Sequence, residues 1–276
     1  MRRTVLALLL LGWFALAQEE GGKEEGQEEE GGEEAAEEGE EGKPEAEKPP
    51  PAPGDGAKLL TDLAAANEAK DPLKVAGLLP AIGEFGKTTK NAAEADALAE
   101  ELVKSLAFKD DDVKSKVVQT LGELRSKKAA GALKRIIAKK TKDEREEELV
   151  AKAVLSLGML ADPANLKDFE DAAKNRSVPI AKAAYEALKR YGTAKGKVRK
   201  DVAEMLMKRL DAEYPSSGGQ QGKSVGEEAQ KRWTAVSGLI VASLQSVCRQ
   251  TTITDVENWR EWWKENKKKP WKDSET

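Results

Sequence analysis

The chain has 276 residues, a net charge of −4, no histidine and one cysteine. Without an imidazole there is no Ser–His or Cys–His catalysis, and a lone thiol builds neither an intramolecular disulfide nor a thiolate metal cluster. Charged residues make up 35% and aromatics 5%, with Ala, Leu, Lys and Glu prominent, a mixture that favours helices because these side chains lose little freedom there.

The charge divides by region. Residues 18–56 carry −13 and the first seventeen carry +2, which leaves +7 on residues 57–276. The part of the chain able to fold is basic, although the whole is acidic.

Residues 1–17 read as a secretory signal peptide: Arg2 and Arg3, an apolar run from Val5 to Leu16, and Ala15-Leu16-Ala17 before Gln18. A helix of that apolar length reaches about 18 Å, too short for a hydrocarbon core of about 30 Å, so no stable membrane span is expected. Cleavage near Ala17 would place the protein outside the cytoplasm, periplasmic or secreted. Residues 18–56 hold no apolar side chain larger than alanine, and a segment of this kind cannot offset the entropy of ordering. They read as a disordered acidic tether, stiffened at Pro49-Pro50-Pro51.

From residue 57 the apolar pattern turns helical and then recurs. Val113, Val117, Val118, Leu121 and Leu124 share one helical face, and Ala129, Ala130, Leu133, Ile136 and Ile137 mark a second helix after a break at Ser126-Lys127. Leu149 to Leu160 and Leu166 to Ala173 form the next two, separated by Asp162-Pro163, a cap and first-turn pair. Ile180 to Tyr191 and Val198 to Leu206 follow. Leu121-Gly122-Glu123-Leu124 aligns with Leu157-Gly158-Met159-Leu160 and with Leu188-Lys189-Arg190-Tyr191, at steps of 36 and 31 residues. An earlier copy, Ile82-Gly83-Glu84-Phe85, lies on a helix opened by Asp71-Pro72, with Leu98, Leu102 and Leu106 on its partner. Recurring helix pairs of this length signify a solenoid.

The Val-x3-Val/Ala…Leu-Gly-x-Leu helix, a short turn and Ala-x2-Leu resemble HEAT repeats over about residues 71–212, in particular the HEAT-like repeats of phycocyanobilin lyases. The resemblance implies a right-handed alpha-alpha superhelix. It also implies that second helices line the concave face, so Lys127, Lys128, Lys134, Arg135 and Lys139 would join Lys195, Lys197, Arg199 and Lys200 in one basic groove. The ordinary alternative for those residues is solvated helix surface. Such a groove suits a protein or an acidic peptide segment, the chain's own residues 18–56 included. Nucleic acid fits poorly, since no aromatics interleave these lysines.

The loop 213–226 nearly spells a phosphate-binding loop at Gly218 to Ser224, but Ser217 stands where that pattern needs glycine and no strand precedes it. Residues 227–270 read as a tryptophan-rich helical cap. Trp233 lies on its first helix and Trp259, Trp262 and Trp263 share a face of its second, either sealing the last repeat or offering an aromatic platform. This ending resembles the tails of secreted HEAT proteins of planctomycete-type bacteria. No residue set demands a cofactor or metal. A non-enzymatic binding scaffold is the leading expectation. A structural spacer is the alternative, and a lyase-type activity is disfavoured by the missing histidine and single cysteine.

Overall fold

A computed structural model describes residues 55–215 and 223–273. The signal-peptide-like start, all but the end of the acidic segment and the middle of the Ser/Gly loop lie outside them. Among the described residues the regular structure is wholly helical, with eleven α-helices and two short 3₁₀ turns.

In chain order the helices are α1 (Gly56–Glu68), α2 (Pro72–Thr88), α3 (Ala92–Ser105), α4 (Asp111–Leu124), α5 (Lys127–Ile137), α6 (Glu144–Gly158), α7 (Leu166–Ala173), α8 (Val178–Lys189), α9 (Gly196–Glu213), α10 (Lys223–Cys248) and α11 (Val256–Asn266). Their starts are written locally. Asp71, Asn91, Asp110, Ser126, Asp143 and Asp255 each accept a hydrogen bond from a backbone N–H of the first turn they precede, which satisfies donors the helix leaves free. Asp162 also caps, but Pro163 opens a 3₁₀ turn (Pro163–Asn165) that leads into α7.

The chain is an α-solenoid of stacked helix pairs. Its pairs are α1–α2, α3–α4, α5–α6, α7–α8 and α9–α10. The sequence pattern had joined α2 to α3, α4 to α5, α6 to α7 and α8 to α9, one helix out of phase. Periodicity shows that a helix has an apolar face but not which neighbour covers it, and the count began at Asp71 although α1 already buries Leu59, Leu63 and Ala66. The helix α10, expected to open a cap, is the second member of a fifth pair and begins at Lys223 rather than 227.

The even-numbered helices form a row in which each packs tightly on the next, while the odd-numbered helices are more widely spaced. The Leu-Gly-x-Leu signature lies in this row. A β-carbon at Gly122 would stand 2.8 Å from Cα and O of Ser156, and one at Gly158 would stand 2.6 Å from Cβ of Ala187. The glycines let α4 approach α6 and α6 approach α8 backbone to side chain, and the leucines flanking them are fully buried at Leu121 and Leu157.

Two polar clusters tie rows together. Near the start, Asn67 Nδ2 donates to Glu101 Oε1 at 2.9 Å, and Ser105 Oγ donates to Asn67 Oδ1 at 2.8 Å, locking α1 to α3. Near the end, buried Glu213 of α9 accepts from Arg209 on its own helix and from Arg232 Nε of α10 at 2.8 Å. Arg232 also donates to the carbonyls of Arg176 (3.1 Å) and Ala173 (3.4 Å), closing the free C-terminal end of α7.

Candidate functional site

The expected groove does not assemble. The α5 cations sit on the wider odd row, and α7 stands between α5 and α9. Lys127, Arg135 and Lys139 are exposed, Lys128 pairs with Glu100 at 2.7 Å, and half-buried Lys134 pairs with Asp168 of α7 at 3.0 Å. The hydrogen bond to Glu100 raises the Lys128 ammonium above its ordinary value. Arg199 is no groove residue either. It is buried, because the chain's last described residues lie across it.

Those residues, 267–273, form a strap over the start of α9. Arg199 Nη2 donates to the Lys272 carbonyl at 2.6 Å and Nη1 to the Val247 carbonyl at 3.3 Å, while Lys200 Nζ reaches the Lys269 carbonyl at 3.3 Å. The guanidinium of Arg199 stacks over the Trp271 ring, 5.7 Å from its centroid. Burial, and then the charge of Arg249, hold Arg199 below its ordinary value. The strap backbone passes so close to Gly196 that any β-carbon there would collide with the Trp271 carbonyl.

The tryptophans divide into two groups. Trp259 is fully buried and meets Trp262 edge-on with centroids 5.6 Å apart, and Trp271 of the strap meets Trp262 at 6.0 Å and Trp263 at 6.3 Å. This cluster seats α11 along α9, extending the odd row. Trp233 stands apart on α10, edge-on to Tyr214 at 5.3 Å, with Arg260 over the Tyr214 ring at 5.2 Å. Trp271 was absent from the expected aromatic set, since it follows α11 in an irregular segment where periodicity gives no signal.

Strap and helix together make a basic shoulder. Residues 189–201 and 264–273 hold eleven cations and three acids, Asp201, Glu265 and Asp273, and Arg249 at the end of α10 adds to them. Of the acids, Asp273 accepts from Gly196 N–H at 2.6 Å. Lys195, Lys197, Lys200 and the strap lysines form no ion pair among the described residues. A cleft of about 240 Å³ lies within the shoulder, lined by Arg199, Cys248, Arg249, Trp262, Trp271 and Lys272 among others. Burial pushes the Cys248 thiol up to about 12, so it is protonated at neutral pH.

A larger hollow of about 950 Å³ opens between α4, α5 and α6. Its rim carries six carboxylates and five cations, which selects neither charge, and Asp110 and Asp143 are already engaged as caps. Among the described residues no cluster of three metal-ligating side chains occurs, and no helix is long and apolar enough to cross a membrane.

The fold is thus that of a helical-repeat protein, and among the described residues the start of α9 and the strap gather an excess of cations. No family model and no curated protein matches the chain. Among solved structures, one engineered protein is 16% identical over 78% of this chain and 96% of its own, with a TM-score of 0.39. A second engineered protein is 18% identical over 78% of this chain and 98% of its own, with a TM-score of 0.37.

Proposed function

We propose that the protein is a non-enzymatic binding scaffold of the HEAT-like kind that holds an acidic protein segment on the shoulder formed by α9 and the strap, in an extracytoplasmic compartment. The observation that carries this reading is the excess of unpaired cations brought together from two stretches of chain some 70 residues apart, Gly196 to Asp273 being separated by 77 positions. Cations concentrated on one face raise local counter-ion concentration and steer an oppositely charged partner. Half-buried Trp262, Trp263 and Trp271 add apolar area beside that charge, the combination that anchors protein interfaces. Support for the non-enzymatic part is the chain's lack of histidine and its single, protonated thiol. The compartment rests on the sequence of residues 1–17.

The test is fluorescence anisotropy of a labelled peptide with the sequence of residues 18–47 against the purified chain lacking residues 1–54. Saturable binding that weakens with salt, and is lost in a Lys195→Glu, Lys197→Glu, Lys200→Glu variant, supports the reading. Absence of binding, or equal binding by the variant, removes it. N-terminal sequencing of exported protein tests the compartment, with Gln18 as the expected first residue.

A further inference from the structure

We propose that the start of α9, Arg199 and the α11 tryptophans form a peptide-recognition groove that the strap fills as a self-ligand, and that a partner protein's segment of the form Trp-x-Asp takes its place. The contacts that read this motif come from Gly196, Arg199, Trp262 and Trp263 rather than from the shoulder lysines, so the inference does not rest on the proposed function.

Residues 271–273 show what the groove reads. The Trp271 ring meets the Arg199 guanidinium, 5.7 Å from its centroid, and the rings of Trp262 and Trp263 edge-on at 6.0 and 6.3 Å. Lys272 contributes its main chain, since its carbonyl accepts from Arg199 Nη2 at 2.6 Å while its side chain is exposed. That middle position is therefore open to any residue. Asp273 Oδ1 accepts the Gly196 N–H at 2.6 Å, at a helix start with no cap of its own, where negative charge is favoured. Gly196 belongs to the fit. A β-carbon there would stand 2.7 Å from the Trp271 carbonyl carbon and 3.1 Å from the Lys272 oxygen. Glycine gives the passing backbone room, and alanine, otherwise the better helix former, would close the groove.

The strap is a weak occupant. Among residues 267–273 Trp271 is half-buried and the others are exposed, so release uncovers little apolar surface. Its four lysines share this end of the molecule with Lys195, Lys197 and Lys200, and like charges so gathered oppose seating. Tethering holds it in place. Trp271 comes shortly after α11 ends at Asn266, and so short a link gives an effective concentration on the order of millimolar. A partner segment with the same aromatic and carboxylate, but without the lysines, makes the same contacts against less repulsion.

The experiment is fluorescence anisotropy of a labelled peptide with the sequence of residues 268–273. It carries three lysines and one aspartate, so attraction to the basic shoulder cannot account for its binding. Three forms of the full chain are compared. In the unaltered chain the strap fills the groove. Trp271→Ala with Asp273→Asn opens it, and Gly196→Ala added to that pair closes it. Saturable binding is expected to the open form and at least about tenfold weaker binding to the other two. Trp271→Ala or Asp273→Asn in the peptide should weaken it as far. No binding to the open form, equal binding by all three, or indifference to both peptide changes overturns the proposal. Circular dichroism checks the fold. Where the double variant loses helix content, Asp273→Asn alone, an exposed change, is read in its place with the same order expected. A peptide with serine at the three lysine positions should bind the unaltered chain more tightly than the strap sequence does, and weaker binding overturns the assignment to a lysine-free partner. Light scattering supplies the last arm. A dimer of the unaltered chain that the open form loses makes a second copy the occupant and overturns the partner assignment. Failure of the strap peptide leaves the shoulder reading to its own test with residues 18–47, and failure of that acidic peptide leaves the groove standing.

Discussion

Asp273 caps a helix that begins 77 residues before it. Its Oδ1 accepts the Gly196 N–H at 2.6 Å, and α9 has no side-chain cap of its own because Lys195 occupies that position. A lysine cannot accept there, and four first-turn donors need acceptors. A carboxylate beside the N-terminus also complements the helix dipole.

Asp273→Ala should therefore cost about 1 kcal/mol, the usual worth of an N-cap. The loss should be local. Amide exchange at Gly196 to Arg199 should accelerate, while exchange in α4 and α6 should not. Uniform acceleration across all helices would contradict a capping role.

Gly122→Val tests the even row. The new side chain would begin 2.8 Å from the Ser156 backbone, so α4 and α6 must separate. Overpacking of this kind costs about 1–3 kcal/mol, read as a lower urea midpoint. Gly131→Ala on α5, where nothing lies within 4 Å of an added β-carbon, should be neutral or slightly stabilising.

Trp259→Ala should be the most damaging of the tryptophan truncations. Trp259 is fully buried whereas Trp262 and Trp263 keep part of their surface in solvent. Loss of a buried indole costs about 3–5 kcal/mol. Trp259→Phe should cost less, since the Trp259 Nε1–H has no partner among the described residues. Equal costs for all three alanine variants in urea unfolding would contradict the packing described.

The Glu213 clasp fixes an acid dependence. Burial pushes its carboxyl up, but hydrogen bonds from Arg232 and Arg209 outweigh that and leave it below its ordinary value. A carboxyl depressed on folding stabilises the native state above its unfolded pKa of about 4.3, and that stability is lost as pH falls through the lower folded value. Stability measured by urea midpoint should decline below about pH 4.3, and Glu213→Gln should remove part of the decline. At neutral pH the same variant leaves two arginines without their shared counter-charge and should cost about 3 kcal/mol, near the low end for a buried pair because both keep some solvent.

Much of the fold was legible. Helix starts were written in Asp71-Pro72 and Asp162-Pro163, and the apolar faces expected at Val113 to Leu124 and Ile180 to Tyr191 are buried in the structure. The glycines aligned as a repeat marker prove to be, at Gly122 and Gly158, places where an added β-carbon would strike the next helix of the row. The phase of pairing was not legible, because an amphipathic helix reports a buried face without naming its cover. The site was less legible still. Lys134 and Lys197 look alike in sequence, yet one is paired to Asp168 and the other stands beside a strap of further lysines. Arg199 and Trp271 meet only through tertiary folding, across 72 positions and an irregular segment with no period.

The measurement that bears most directly on the shoulder compares two charge-reversal sets in one peptide-binding assay. One set is Lys195→Glu, Lys197→Glu and Lys200→Glu at the start of α9. The other is Lys127→Glu, Arg135→Glu and Lys139→Glu on and just after α5, of equal charge change. Loss of acidic-peptide affinity in the α9 set with near wild-type affinity in the α5 set is the predicted result. Equal loss in both, or loss confined to the α5 set, would contradict it.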